Sequence, residues 1–163
     1  MINGLIEIFF IFSFATMAFS QYLRRTAQQT IYELRDKVKS FDDTMREHRD
    51  NLLIRPEDNR PYQEQKEIIF SEDADIPTDT FWYYILLVYL AAAIFLAAVC
   101  DFLGSFESTY NTKIVALYVI GGLIINYCVF NSGFQAIKPK QNARDAYKQV
   151  ASSYRTIMDS KTS

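Results

Sequence analysis

FWYYILLVYLAAAIFLAAVCDFL, residues Phe81–Leu103, carries a single charged side chain, Asp101. A helix needs about 20 apolar residues to cross roughly 30 Å of hydrocarbon, and this run is long enough. Ile114–Phe134 is a second such run, and the short link Gly104–Thr112 makes the two an antiparallel hairpin. A third, shorter run, Ile2–Ser20, contains Glu7. The fold these runs predict is an all-α membrane protein with three transmembrane helices.

Flanking charge gives the orientation. With the N-terminus outside, sixteen of the seventeen Lys and Arg residues fall on the inner side and only Lys113 falls outside. Basic residues near membrane ends resist translocation, so the bias sets topology. Ala18-Phe19-Ser20 resembles a cleavage site, yet Met1–Leu5 carries no positive charge and Arg24–Arg25 follow the apolar run. A secretory signal has its charges before that run, so residues 1–20 read as an uncleaved anchor. The expected location is a bacterial inner membrane or an organelle inner membrane, N-terminus out and C-terminus in.

Half of the 163 residues are hydrophobic, yet the mean hydropathy is −0.05 because apolar blocks alternate with very polar ones. The first polar block, residues 21–53, has no Gly or Pro. Ala27, Ile31, Leu34, Val38, Phe41 and Met45 step along it by four and three, a heptad seam. With Ile31 as position a, Lys37 and Asp42 take g and e positions and would attract across a parallel pair. The seam could join identical chains or pack on another helix of the same chain. Such a helix is expected within residues 135–163, opened by Pro139, where Ala143, Tyr147, Val150, Tyr154 and Ile157 repeat the same steps. Both helices leave the membrane on the inner side, so they would run parallel. Residues 54–80 return the chain to the second span. Eight acids stand against Arg60 and Lys66 between Pro56 and Thr80. The prolines argue against a long helix there, so the segment reads as an acidic, irregular strap, with Ile68-Ile69-Phe70 tucked against the bundle.

Polar groups in spans are the site candidates. Glu7, Asp101 and Lys113 share one level near the outer surface. They could form a cation-attracting mouth, and Asp101 and Lys113 could instead form a simple interfacial pair. Asn126 lies deep in the third span and needs a partner on another helix. Ala93, Ala97, Asp101 and Gly104 share a face suited to close packing, and Gly121–Gly122 allow a near neighbour. Phe81–Tyr84 read as an aromatic belt. Cys100 and Cys128 have no second Cys or His nearby, and His48 stands alone near a helix tip. No nucleophile has a base partner, no phosphate loop follows a strand, and no metal spacing occurs. The net charge of −2 points away from nucleic acid.

The hairpin flanked by amphipathic helices is similar in outline to the two-span effector modules of bacterial defence systems, with an extra first span. The likeness lies in layout and assigns no residue. The expected function is non-enzymatic: a small subunit that assembles with other membrane chains or copies of itself, without cofactor or small-molecule substrate. A homo-oligomeric pore gated by the inner helices is the alternative.

Overall fold

The computed structural model describes residues 2–52, 54–71, 76, 81–103 and 108–160, with side chains outside the described set at 2–7, 51, 96–103 and 108–115. The chain is nearly all helical, and no strand occurs among the described residues. Helix α1 spans Ile2–Glu47, α2 Arg60–Phe70, α3 Phe81–Leu103, α4 Ser108–Phe134 and α5 Ile137–Asp159; a 3-10 turn at Arg49–Asn51 follows α1. Among the described residues one helix, within Ala116–Asp159, is long and apolar enough to cross a membrane, and Phe81–Phe95 is a shorter apolar helix.

Two compact units form. The first comprises Met1–Tyr22 and Thr78–Phe134, the second Leu23–Pro77 and Gln135–Ser163. In the first, Phe9, Tyr83, Leu86, Leu90 and Val129 make the apolar core. Tyr83 meets the Val129 end of α4 and Tyr89 stacks on Tyr118, so α3 and α4 are antiparallel. Ser13 pairs with Asn126 and Ser20 with Val129, so α1 runs parallel to α4. The helix resumes at Ser108, which makes the expected link Gly104–Thr112 shorter than its composition implied.

The second unit is a three-helix bundle. Val38, Met45, Leu52, Tyr62, Ile69, Ala146, Val150 and Ile157 form one buried cluster. Ala27, Ile31, Leu34, Ile76, Ala136 and Ala143 form another. The order of these contacts makes α1 and α5 parallel. The heptad seam is thus filled by the chain itself. Phe41 lies 4.2 Å from the Tyr154 ring and 6.0 Å from that of Tyr147.

The strap is not irregular throughout, which corrects the expectation for residues 54–80. Eleven of them form α2. Pro61 sits in its first turn, where its missing N–H would have no helical acceptor. Asn59 caps the helix, its side chain accepting from the Tyr62 N–H at 3.0 Å. Ile69 is fully buried, whereas Ile68 and Phe70 on either side remain exposed. Arg35 donates to the carbonyls of Ile69 and Ser71 at 2.9 and 3.3 Å, tying the end of α2 back to α1.

Candidate interhelix polar site

The first unit buries polar side chains beside its apolar core and exposes large apolar ones. Ser13, Thr16, Ser20, Asn126 and Ser132 are buried. Every exposed large hydrophobic residue among the described ones belongs to this unit, save Tyr32, Ile68 and Phe70. Along α1 the buried positions are Phe9, Ser13, Thr16 and Ser20, then Ala27, Ile31, Leu34 and Val38. The same four-and-three spacing therefore continues into the apolar run, with hydroxyls replacing aliphatic side chains.

Asn126, 2% exposed, uses both amide protons: Nδ2 donates to Ser13 Oγ and to the Gly122 carbonyl, each at 2.9 Å. Its Oδ1 is buried and accepts from no described residue. Ser20 Oγ donates to the Val129 carbonyl at 2.8 Å and lies 2.7 Å from Tyr83 Oη. A serine hydroxyl has one proton, and here it goes to Val129, so Tyr83 is the donor to Ser20. Thr16 turns back on its own helix, donating to the Phe12 carbonyl at 2.9 Å.

Glycines make this approach possible. A Cβ at Gly133 would stand 2.7 Å from Ser20 Cα, and one at Gly122 would run into the Phe9 ring. At Gly121 it would meet the Tyr89 hydroxyl at 3.0 Å. The closest described approach is therefore α1 against α4, through Gly133 and with bulky Phe9 in the Gly122 notch. The sequence pattern had pointed instead to the Ala93 face. Ala93 is buried on the face that holds Leu86 and Leu90. Tyr89 and Tyr118 stack at 4.2 Å, and each hydroxyl donates to the other's backbone carbonyl.

Gly104 lies outside the described residues, and the side chains of Glu7, Ala97, Cys100, Asp101 and Lys113 lie outside the described set. The proposed outer mouth and the Asp101–Lys113 pair fall there with them. Of the predicted site residues, Asn126, Gly121, Gly122 and Ala93 come together in the first unit. Ile31, Leu34, Val38, Met45, Val150 and Ile157 are buried in the second, with Phe41, Tyr147 and Tyr154 half-buried beside them.

The two flanking charges of the seam are occupied within the chain. Asp42 accepts from Tyr62 Oη at 2.8 Å and from Lys66 Nζ at 2.6 Å. Lys37 Nζ lies 5.9 Å above the Tyr147 ring. Burial, then the Asp42 carboxylate, raises the Tyr62 hydroxyl well above the usual tyrosine range.

Ser13, Ser20, Tyr89, Tyr118 and Tyr62 escaped the sequence reading, and Tyr83, read as part of an aromatic belt, is buried against Ser20. The first two continue a seam that was traced only through apolar residues. No group of three or more metal-ligating side chains occurs among the described residues. The outer face of α3 bears an open groove of about 370 Å³ lined by Phe81, Tyr84, Ile85, Val88, Tyr89 and Ala92. Comparison with protein-family models, curated proteins and solved structures returned no match.

Proposed function

We propose that the protein is a small integral membrane subunit that assembles with other membrane chains through helix contacts, without catalysing a reaction. In this reading α1, α3 and α4 all cross the bilayer, N-terminus outside, and the second unit lies on the inner side. One observation carries it: the first unit buries hydroxyls and an amide while exposing Ile11, Phe12, Val88, Phe95, Leu117 and Tyr127. Water would reverse that distribution, whereas lipid favours it, because apolar tails solvate the outside and polar side chains hold helices together.

The contact surface we assign is the α3 groove, with a transmembrane helix of another subunit as its occupant. Its wall is apolar, and exposed Ala91 and Ala92 leave room for a close neighbour. The pore reading draws less support. The deep amide that could line a pore, Asn126, uses both its protons within the chain.

Single cysteines introduced at positions 2, 60 and 155 test the topology. A membrane-impermeant reagent applied from outside should label position 2 alone. Strong labelling at 60 would sink it. Assembly is tested by Ala92→Phe, which should cost co-purifying membrane chains while leaving the fold intact. A conductance in reconstituted bilayers that falls in both Asp101→Asn and Glu7→Gln would promote the pore instead.

A further inference from the structure

We propose that the end of the second unit where α1 and α5 adjoin the apolar runs is a cationic collar for the phosphate headgroups of anionic lipids. The proposal rests on the membrane reading above.

The sequence alone places Arg24 and Arg25 after one apolar run, and Lys138, Lys140 and Arg144 after another. The structure brings the two groups together. Ala27 on α1 is buried in one cluster with Ala136 and with Ala143 of α5. Alanine side chains hold the two backbones close. Arg24 and Arg25 stand within a turn of Ala27; Lys138 and Lys140 lie between Ala136 and Ala143, and Arg144 follows. All five therefore surround one short stretch of seam. Arg25, Lys138 and Arg144 are exposed, and Arg24 and Lys140 are half-buried.

Charge is segregated along α1 and α5. From Gln21 to Tyr32 there is no acid on α1, the first being Glu33; from Gln135 to Arg144 there is none, the first being Asp145. Beyond those points the signs mix, as in the pairs Lys39–Asp36, Lys66–Asp42 and Lys148–Asp145. No ion pair among the described residues engages Arg25, Lys138, Lys140 or Arg144.

Position selects the ligand. The collar directly follows Tyr22 and Phe134, where apolar chain gives way to polar chain. Long basic side chains there reach headgroup level while their stems stay in apolar surroundings. They lie within about one Debye length, ~8–10 Å, of a charged leaflet. Clusters of this size beside a span attract anionic lipid. A soluble phosphate offers the same oxygens but gains nothing from the adjoining apolar surface.

The test uses the full chain in nanodiscs of phosphatidylcholine with or without phosphatidylglycerol, with retained lipid read by native mass spectrometry and stability by thermal midpoint. Phosphatidylglycerol should be retained in preference by about tenfold or more, given the attraction each added Lys or Arg contributes near an anionic surface. The triple variant Lys138→Gln, Lys140→Gln, Arg144→Gln should bring retention close to parity. The single variant Arg25→Gln, whose side chain is exposed, should lower it partway and covers the case in which the triple variant fails to fold. Lys39→Gln with Lys148→Gln, remote from the collar, should leave the preference unchanged. An equal loss in that remote pair would overturn the collar in favour of general charge. A midpoint raised equally by inorganic phosphate would overturn the lipid as ligand. Alkaline carbonate extraction separates the two readings. A chain released by carbonate sinks the membrane assignment itself, whereas a chain retained without headgroup preference sinks the collar alone.

Discussion

Ser20 and Gly133 meet backbone to backbone: the Cα of the serine occupies space that any side chain at 133 would need, 2.7 Å from its Cβ. Neither partner can yield by rotating a torsion. Gly133→Ala must push α1 and α4 apart at the point where Ser20 bonds Val129. Overpacking of this kind costs about 1–3 kcal/mol. Reversible denaturation in mixed micelles should register that loss. Gly121→Ala, which meets only the tip of Tyr89, should cost less. Equal effects at the two glycines would remove the special status of the Ser20 contact.

A tyrosine in the second unit makes stability depend on alkaline pH. Tyr62 is held neutral by burial and by its bond to Asp42, so its folded pKa is raised above the ordinary value of 10.0. A raised acid favours the folded state fully below the unfolded value. The advantage is lost as pH climbs past about 10, where the unfolded chain releases the proton and the folded one does not. Unfolding monitored between pH 8 and 12 should show stability falling across the upper half of that range. Tyr62→Phe should flatten the part due to this residue and cost about 1 kcal/mol at neutral pH through the lost hydrogen bond. An unaltered alkaline slope in that variant would refute the assignment.

Val38 is fully buried between α2 and α5. An aspartate there would be an unpaired charge in an apolar cluster, and such substitutions reach the exceptional range above about 4 kcal/mol. Val38→Asp should therefore unfold the second unit, as seen by loss of protease resistance around residues 60 and 150. Asp36→Ala, on the exposed face of the same helix, should leave resistance intact. A seam that served only to join copies would instead give a folded monomer.

Ser13→Ala isolates one interhelix bond. Asn126 keeps its contact to Gly122 and loses only Ser13. Single polar contacts between membrane helices average about 0.6 kcal/mol, so a small but measurable loss is expected. A loss of several kcal/mol would mean that Ser13 organises more of the interior than its one described bond to Asn126.

How much of this was legible depended on the solvent each segment meets. In the second unit the rule that apolar residues point inward holds, and Ile31, Leu34, Val38, Val150 and Ile157 announce the bundle by spacing alone. On the α1 stretch of the first unit the inward residues after Phe9 are Ser13, Thr16 and Ser20, and Ile11, Phe12, Phe14 and Phe19 point outward. A search for apolar periodicity along this part of α1 misses Ser13, Thr16 and Ser20, although they keep the four-and-three spacing. Asn126 was recognisable as needing a partner, but the sequence offers several hydroxyls and only folding selects Ser13. Helix α2 was hidden by Pro61, counted as a breaker when it stands in a first turn. Asn59, three residues before Tyr62, was the available sign. The Tyr89–Tyr118 reciprocity needs the register of α3 against α4, which no local pattern contains.

The bundle is closed by α5, far along the chain from the seam it covers, and this has a consequence for how the protein is made. Helix α1 offers its seam early in synthesis, yet Ala143, Ala146, Val150 and Ile157 lie on α5, about a hundred residues further along the chain. At a ribosome rate of about 5–20 residues per second, the hundred or so residues between them take roughly 5–20 s. For that interval α2, through Tyr62 and Ile69, shields the seam together with Leu52 and Ile76. A chain arrested before Ala143 would hold an open apolar groove of the shape that α5 fills. Synthesis of α5 thus acts as a latch, and a copy arrested before it would be a ready recipient for another molecule's α5.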